Sequence, residues 1–350
     1  MGGGDRGLWS PATPAFSFRE TTVESAGLYL HVPFCVRKCR YCDFVSVSDL
    51  TLLPAWLAAL EQEMACYRDF APAFDTLYLG GGTPSLLAES HLEQIFAAIH
   101  QLFRIAPGAE VTLEANPDDL TLNKLKFYRN LGINRLSLGV QSFHDGELTF
   151  LGRRHTAGQA RRAAALAREA GFAALSLDFI YALPGQSLAG WLTHLAEALN
   201  FAPEHLSCYQ LTVAAGTPLA ADLDRKRWRP PGEEEVREFF LRTAEYLEGA
   251  GYVHYEVSNF ARGEEYRSRH NLKYWRHVPY LGLGPGAHSF KDNRRWWNLS
   301  PVPDYCRRLK HGQPPVAGEE VLTPAQLRLE ALALGLRTKE GVALEVVRQG

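Results

Sequence analysis

The sequence predicts an α/β fold: a partial barrel of six β/α units followed by a smaller, mixed C-terminal domain. Three observations lead there. Six short apolar runs alternate with amphipathic stretches, polar and glycine-rich residues follow the carboxyl end of every run, and the alternation stops near residue 215.

The runs are Leu28–Val32, Thr76–Leu79, Val111–Leu113, Arg135–Leu138, Leu175–Phe179 and Leu206–Leu211, each of strand length and composition. Between them, helical spacing of apolar residues covers about 52–68, 90–103, 121–131, 157–171 and 187–200. A serial β/α alternation implies parallel strands joined by right-handed crossovers. The choice between a barrel and an open doubly wound sheet rests on where the polar loops fall. After the runs come a cysteine loop, Gly80-Gly81-Gly82-Thr83-Pro84, Glu114-Ala115-Asn116-Pro117, Gly139-Val140-Gln141-Ser142, Asp178 with Ala182-Leu183-Pro184-Gly185, and Gln210-Leu211-Thr212. A barrel builds one site from all its loops at that face, whereas a doubly wound sheet concentrates them at one switch point. Six strands leave such a barrel open at one side, with room for a large flat ligand.

The organisation that follows is a leader over residues 1–25, a barrel over 26–215 and an accessory domain over 216–350. The leader is rich in Gly, Pro, Ser and Thr and reads as disordered. Pro218, Pro230 and Pro231 mark a linker. A helix follows with Val236, Phe239, Phe240, Thr243, Tyr246 and Leu247 on one face. The region 252–297 is rich in glycine and aromatics, and a last helix opens with Thr323 as its cap and Pro324 at its first position.

Hydrophobic residues make up 46% of the chain and charged residues 22%, with a net charge near −2. That balance offers no clustered basic surface for nucleic acid. No run approaches the roughly 20 apolar residues of a membrane span, and no signal-peptide core precedes the barrel, so the cytoplasm is the default location.

Three of the six cysteines, Cys35, Cys39 and Cys42, fall just past the first strand. Three thiolates in one loop suit a [4Fe–4S] cluster with one iron left open for another ligand. Zinc is the main alternative, but its sites pair C-x-x-C with further Cys or His ligands. Cys66, Cys208 and Cys306 are isolated and read as small hydrophobes.

With Tyr41 before the third cysteine and a GGGTP turn one β/α unit later, the chain resembles the radical-SAM superfamily. That resemblance implies that the open iron binds S-adenosylmethionine and that an electron from the cluster cleaves its sulfonium to a deoxyadenosyl radical. From Tyr29 to about Phe290 the chain looks like the family of oxygen-independent coproporphyrinogen III dehydrogenases and the HemW-type heme chaperones. By that resemblance Tyr29, Tyr41, Gly81 and Glu114 contact the cluster-bound S-adenosylmethionine. Gly82, Thr83, Gln141, Arg153 and Asp178 match positions that contact S-adenosylmethionine, in part a second molecule. For Arg153 a surface ion pair, and for Gln141 a strand-end cap, are the competing readings. Gly282–Ser289 resembles the segment covering the same site, with His288 as a further contact.

Two features separate the branches. The dehydrogenases resemble one another in a fourth cysteine two residues after the third and in a Tyr-rich segment upstream; here Phe44 stands at the first position and the second is missing. Conversely, His270-Asn271-Leu272-Lys273-Tyr274-Trp275 matches the HNxxYW motif of the chaperones. The match implies heme contact by Asn271, Tyr274 and Trp275 on the open side of the barrel, and iron ligation by His270. A hydrogen-bonded core histidine is the competing reading. The resemblance therefore implies a [4Fe–4S] cluster, S-adenosylmethionine and heme as cofactors. It also implies a flavodoxin- or ferredoxin-type electron donor and an acceptor hemoprotein, a respiratory membrane enzyme. A coproporphyrinogen dehydrogenase and a heme-opening methyltransferase are the enzymatic alternatives. Family members continue past the last helix into a small winged-helix-like unit, so with an end at Gly350 that unit is expected to be truncated or reduced.

Overall fold

The computed structural model of the protein describes residues 25–344, so all but the last residue of the expected leader lies outside it. Six strands arise where the apolar runs predict them: β1 (Ala26–Val32), β2 (Phe74–Gly81), β3 (Ile105–Ala115), β4 (Arg135–Gln141), β5 (Ala174–Tyr181) and β6 (His205–Gln210). They pair in sequence order and all parallel. The crossovers carry α1 (Leu53–Cys66), α2 (Glu89–Leu102), α3 (Leu122–Asn130), α4 (Asp145–Leu151), α5 (Ala157–Glu169) and α6 (Leu188–Leu199). The short α4 is an addition to the expected helices. Thr156 caps α5 through a reciprocal box with Gln159, which explains why that helix starts sharply.

The strands alternate in a way that organises everything above them. Leu28, Leu30 and Val32 on β1, with Leu77 and Leu79 on β2, are buried against the helices. There they meet Trp56, Leu60, Ile95, Ile99, Tyr128 and Leu195 in one continuous core. The opposite face is polar on every strand, and includes Tyr78, Glu114, Ser137, Asp178 and His205. The core thus lies outside the six strands, and a hydrophilic interior lies within them.

Past residue 215 the chain does not start a separate sheet. It adds α7 (Pro218–Asp224), α8 (Glu233–Gly249), β7 (Val253–Glu256), β8 (Asn259–Ala261), α9 (Arg269–Trp275), β9 (Tyr280–Leu283), β10 (His288–Lys291), β11 (Arg294–Asn298), α10 (Val302–Lys310), β12 (Val316–Val321) and α11 (Pro324–Gly335). Strand β8 pairs antiparallel with β6, and β9 pairs parallel with β1. The result is one open twelve-stranded sheet in the order β12-β11-β10-β9-β1-β2-β3-β4-β5-β6-β8-β7. Pro218, expected in a linker, instead opens α7 behind a Thr217 cap, where its missing N–H is no loss. Thr323 and Pro324 start α11 as predicted.

Candidate functional site

The cysteine loop leaves β1 at its carboxyl end and is pinned there by backbone. Cys35 N–H donates to Val47 O at 3.0 Å, Val47 N–H to Pro33 O at 2.8 Å, and Cys42 N–H to Cys39 O at 3.3 Å. From the opposite side, Arg40 reaches Asp222 on α7. All six cysteines are free thiols; Cys35 is buried and Cys39 and Cys42 are half-buried, while Cys66 faces solvent. Cys35, Cys39 and Cys42 line one cavity of about 420 Å³ that descends into the polar interior. Two of the sulfurs receive donors from elsewhere in the fold: Thr83 Oγ1 to Cys35 Sγ at 3.3 Å, and Arg153 Nη1 to Cys39 Sγ at 3.4 Å. Burial pushes the Cys42 thiol above its ordinary pKa, so an anionic Cys42 needs a positive partner such as iron. Among the described residues no three His, Cys, Asp or Glu side chains gather as a single-ion site. Three thiols spread around a cavity, two of them under hydrogen-bond donors, fit a four-iron cluster by donor set.

The glycine turn ends β2 beside this loop. Gly81 has φ of +104°, and a Cβ there would lie 2.4 Å from the His31 ring. At Gly82 a Cβ would lie 2.7 Å from Phe34 O and 2.8 Å from Val32 O, backbone atoms that cannot yield. Only glycine lets the two loops approach so closely.

Glu114 projects inward from β3. It accepts from Tyr78 Oη at 2.8 Å and from Gly81 N–H at 3.1 Å, and burial raises its pKa to about 7. Asp178, on β5, accepts from Ser137 Oγ at 2.7 Å and Ser176 Oγ at 3.2 Å, and burial pushes it above the usual carboxylate range. Gln141 sits at the end of β4 with φ of +65°, a conformation that costs a non-glycine residue on the order of 1 kcal/mol. Arg153 is no surface ion pair: its Nη2 donates to Asn116 Oδ1 at 2.5 Å and to Gly139 O at 2.9 Å. One cavity therefore brings together Cys35, Cys39, Cys42, Tyr41, Gly81, Gly82, Thr83, Glu114, Gln141, Arg153, Asp178 and Asn271.

Five expected residues stand apart from that lining. Tyr29 Oη is engaged by His31 Nδ1 at 3.0 Å, and its ring lies 6.1 Å from that of Tyr78. His288, exposed, stacks on Trp297. His270 is 1% exposed, with Nδ1 paired to Thr76 Oγ1 and Nε2 to Tyr274 Oη, both at 2.8 Å. Its ring stacks on Tyr78 at 5.1 Å, and burial lowers its pKa to about 3. Helix α9 is anchored by Arg269 and His270 N–H groups on the Glu110 carboxylate at 3.2 and 3.0 Å. Since Gly27, Thr76 and Glu110 lie toward the amino-terminal ends of their strands, α9 closes the floor of the barrel, opposite the cysteine loop. The motif is expected to face the open side, with His270 ligating iron; in this structure both of its ring nitrogens are engaged inside the floor, by Thr76 and Tyr274. Tyr274 makes an edge contact with Tyr280 at 4.6 Å, and Trp275 carries the Arg337 guanidinium 4.6 Å above its ring.

Residues that sequence reasoning missed include His31, whose Nε2 hydrogen-bonds Val45 O at 2.7 Å and so ties down the end of the cysteine loop. Asn116 bridges Arg153 and Thr83. Its place in the polar segment after β3 was the available clue.

Residues 29–198 match the Radical SAM superfamily, the class that a three-cysteine loop and glycine turn above six parallel strands define. The heme chaperone HemW of Synechocystis is 38% identical over 332 residues, covering 92% of this chain and 80% of the relative. HemW of Bacillus subtilis is 37% identical over 90% of this chain and 84% of its own. Coproporphyrinogen III oxidase (HemN) from Escherichia coli, described as a radical SAM enzyme, superposes with a TM-score of 0.80 at 22% identity, over 94% of this chain and 79% of that one. That likeness speaks for the fold alone. The chain belongs to the HemW family of radical-SAM proteins.

Proposed function

We propose that this chain holds a [4Fe–4S] cluster on Cys35, Cys39 and Cys42, binds S-adenosylmethionine in the cavity beside it, and binds heme for delivery to an acceptor hemoprotein. The observation that carries the first part is the convergence of three free thiols, two with donors on their sulfurs, on a cavity flanked by Gly81 and Gly82. A cluster there supplies one-electron reduction to a ligand on its open iron. The chain's own groups do the rest. Glu114 presents a carboxylate to an ammonium or to ribose hydroxyls, Asp178 a second acceptor deeper in, and Arg153 a donor fork whose Nε has no protein partner. A flavodoxin- or ferredoxin-type protein is the expected electron donor and a respiratory membrane enzyme the expected acceptor. No helix among the described residues is long and apolar enough to cross a membrane.

The heme reading is supported by the relatives being heme chaperones, together with Phe44, 61% exposed beside the cysteine loop, where the dehydrogenase branch carries a fourth cysteine. The second reading, coproporphyrinogen oxidation, is the enzymatic alternative that the branch resemblance leaves open. Anaerobic reconstitution followed by titration with heme and with coproporphyrinogen III separates the two. Tight heme binding with the porphyrin left intact supports the chaperone; protoporphyrinogen formation overturns it.

A further inference from the structure

Asn116 lies half-buried at the end of β3, and its backbone is held by a chain of short contacts. Its N–H donates to Ser85 Oγ at 3.0 Å, and Ser85 Oγ donates to Asp119 at 2.8 Å. With the backbone fixed, the side-chain amide has one orientation that satisfies its neighbours. The carbonyl Oδ1 accepts from Arg153 Nη2 at 2.5 Å, and Nδ2 donates to Thr83 Oγ1 at 3.3 Å. The reversed amide would aim N–H groups at a guanidinium, which has no acceptor.

These two contacts decide what Thr83 and Arg153 do next. Thr83 Oγ1 has a single proton; with Asn116 donating to its lone pair, that proton is turned toward Cys35 Sγ. Arg153, clamped through Nη2 by Asn116 and by Gly139 O, has Nη1 aimed at Cys39 Sγ. One amide thus orders the donors on two thiols of the same loop from opposite sides.

We propose that Asn116 is a positioning residue that sets these two hydrogen bonds and, through them, the reduction potential of the cluster. The inference rests on the cluster assigned above to Cys35, Cys39 and Cys42. A donor on a coordinating sulfur favours the more negative, reduced cluster and raises its potential. Glutamine would overreach, aspartate could not donate to Thr83, and alanine would leave both donors free to turn away.

The test is a potentiometric titration of the full chain, reconstituted anaerobically and followed by EPR. Asn116→Leu, which matches Asn in branching and heavy-atom count and is uncharged, retains the cluster and has a midpoint potential more negative than wild type. Asn116→Ala shifts it in the same direction. Thr83→Val also shifts it negative, and Thr83→Ser, which restores a hydroxyl, brings it back. In the Thr83→Val background Asn116→Leu adds less than it does alone, because part of its action passes through Thr83. A wild-type potential in Asn116→Leu with full iron content overturns the proposal, as does full additivity with Thr83→Val. Loss of the cluster from both Asn116 variants overturns it too, since a positioning residue of this kind leaves ligation intact. Failure of the wild-type chain to take up four irons strikes the cluster assignment instead, and is told apart by that iron count.

Discussion

Glu63 Oε2 accepts the backbone N–H of Gly284 at 2.8 Å, joining α1 to the turn that follows β9 across 221 residues of sequence. The same carboxylate accepts from Tyr305 Oη at 2.6 Å and Asn298 Nδ2 at 2.5 Å, and it is fully buried. A single acid thus fastens three elements of the C-terminal region to the first helix of the barrel.

Burial raises Glu63 to about pKa 7, against an ordinary value near 4.5. Folding therefore favours the protonated form. The stability that protonation contributes is complete below the unfolded pKa and is lost as pH rises from about 4.5 through 7. The limb amounts to on the order of 3 kcal/mol at 1.4 kcal/mol per tenfold. Urea unfolding of the apo chain across this range shows the decline, and Glu63→Gln flattens it. An equally steep limb in Glu63→Gln removes Glu63 as its source.

Cys35→Ala, Cys39→Ala and Cys42→Ala each abolish the iron–sulfur absorbance and EPR signal after reconstitution, while the solvent-facing Cys66→Ala keeps both. Wild-type protein takes up about four irons, and its reduced EPR signal shifts on adding S-adenosylmethionine. Full cluster content in Cys39→Ala contradicts the assignment.

Gly82→Ala places a methyl against two backbone carbonyls of the segment leading into the cysteine loop. The expected result is a cluster bound weakly or not at all, with the helical circular dichroism unchanged. An S-adenosylmethionine-dependent EPR shift of wild-type size in this variant shows that the loops do not need so close an approach.

His270→Ala strips the partners from two buried hydroxyls, on Thr76 and Tyr274, and leaves a cavity under Tyr78. Its cost is about 3 kcal/mol in chemical unfolding. If heme binds, its Soret band is unmoved by this substitution, because both nitrogens belong to the floor. A displaced Soret band at unchanged stability restores His270 as an iron ligand.

Phe44 at the position of the dehydrogenases' fourth cysteine predicts that reconstituted protein with a strong reductant forms no protoporphyrinogen from coproporphyrinogen III. Chromatography of the porphyrin products checks this directly.

What the sequence makes legible is whatever depends on neighbours in the chain. The six strands show as apolar runs, the cysteines as a spacing, α11 as a Thr-Pro start. Contacts between residues far apart in sequence leave no such trace. Nothing local says that Glu63 meets Gly284, or that Asn116 meets Arg153. The HNxxYW motif shows the limit from the other direction: its residue types suit a flat ligand, yet depth in the barrel depends on Glu110 and Thr76, which share no local pattern with it. Pro218 misleads for a related reason, since proline marks a break and a helix start alike, and the Thr217 cap before it decides.

The parallel pairing of β9 with β1 has a consequence for the order of assembly. The strand that launches the cysteine loop emerges early from the ribosome, and β2 covers one of its edges soon after. The other edge stays unpaired until Tyr280–Leu283 have been made. Until then the polypeptide carries an exposed strand edge directly beneath its cysteines, open to water and to wrong partners. Completion of the barrel thus waits for Tyr280–Leu283, and a chain halted before Tyr280 leaves the wall under its cysteines unfinished.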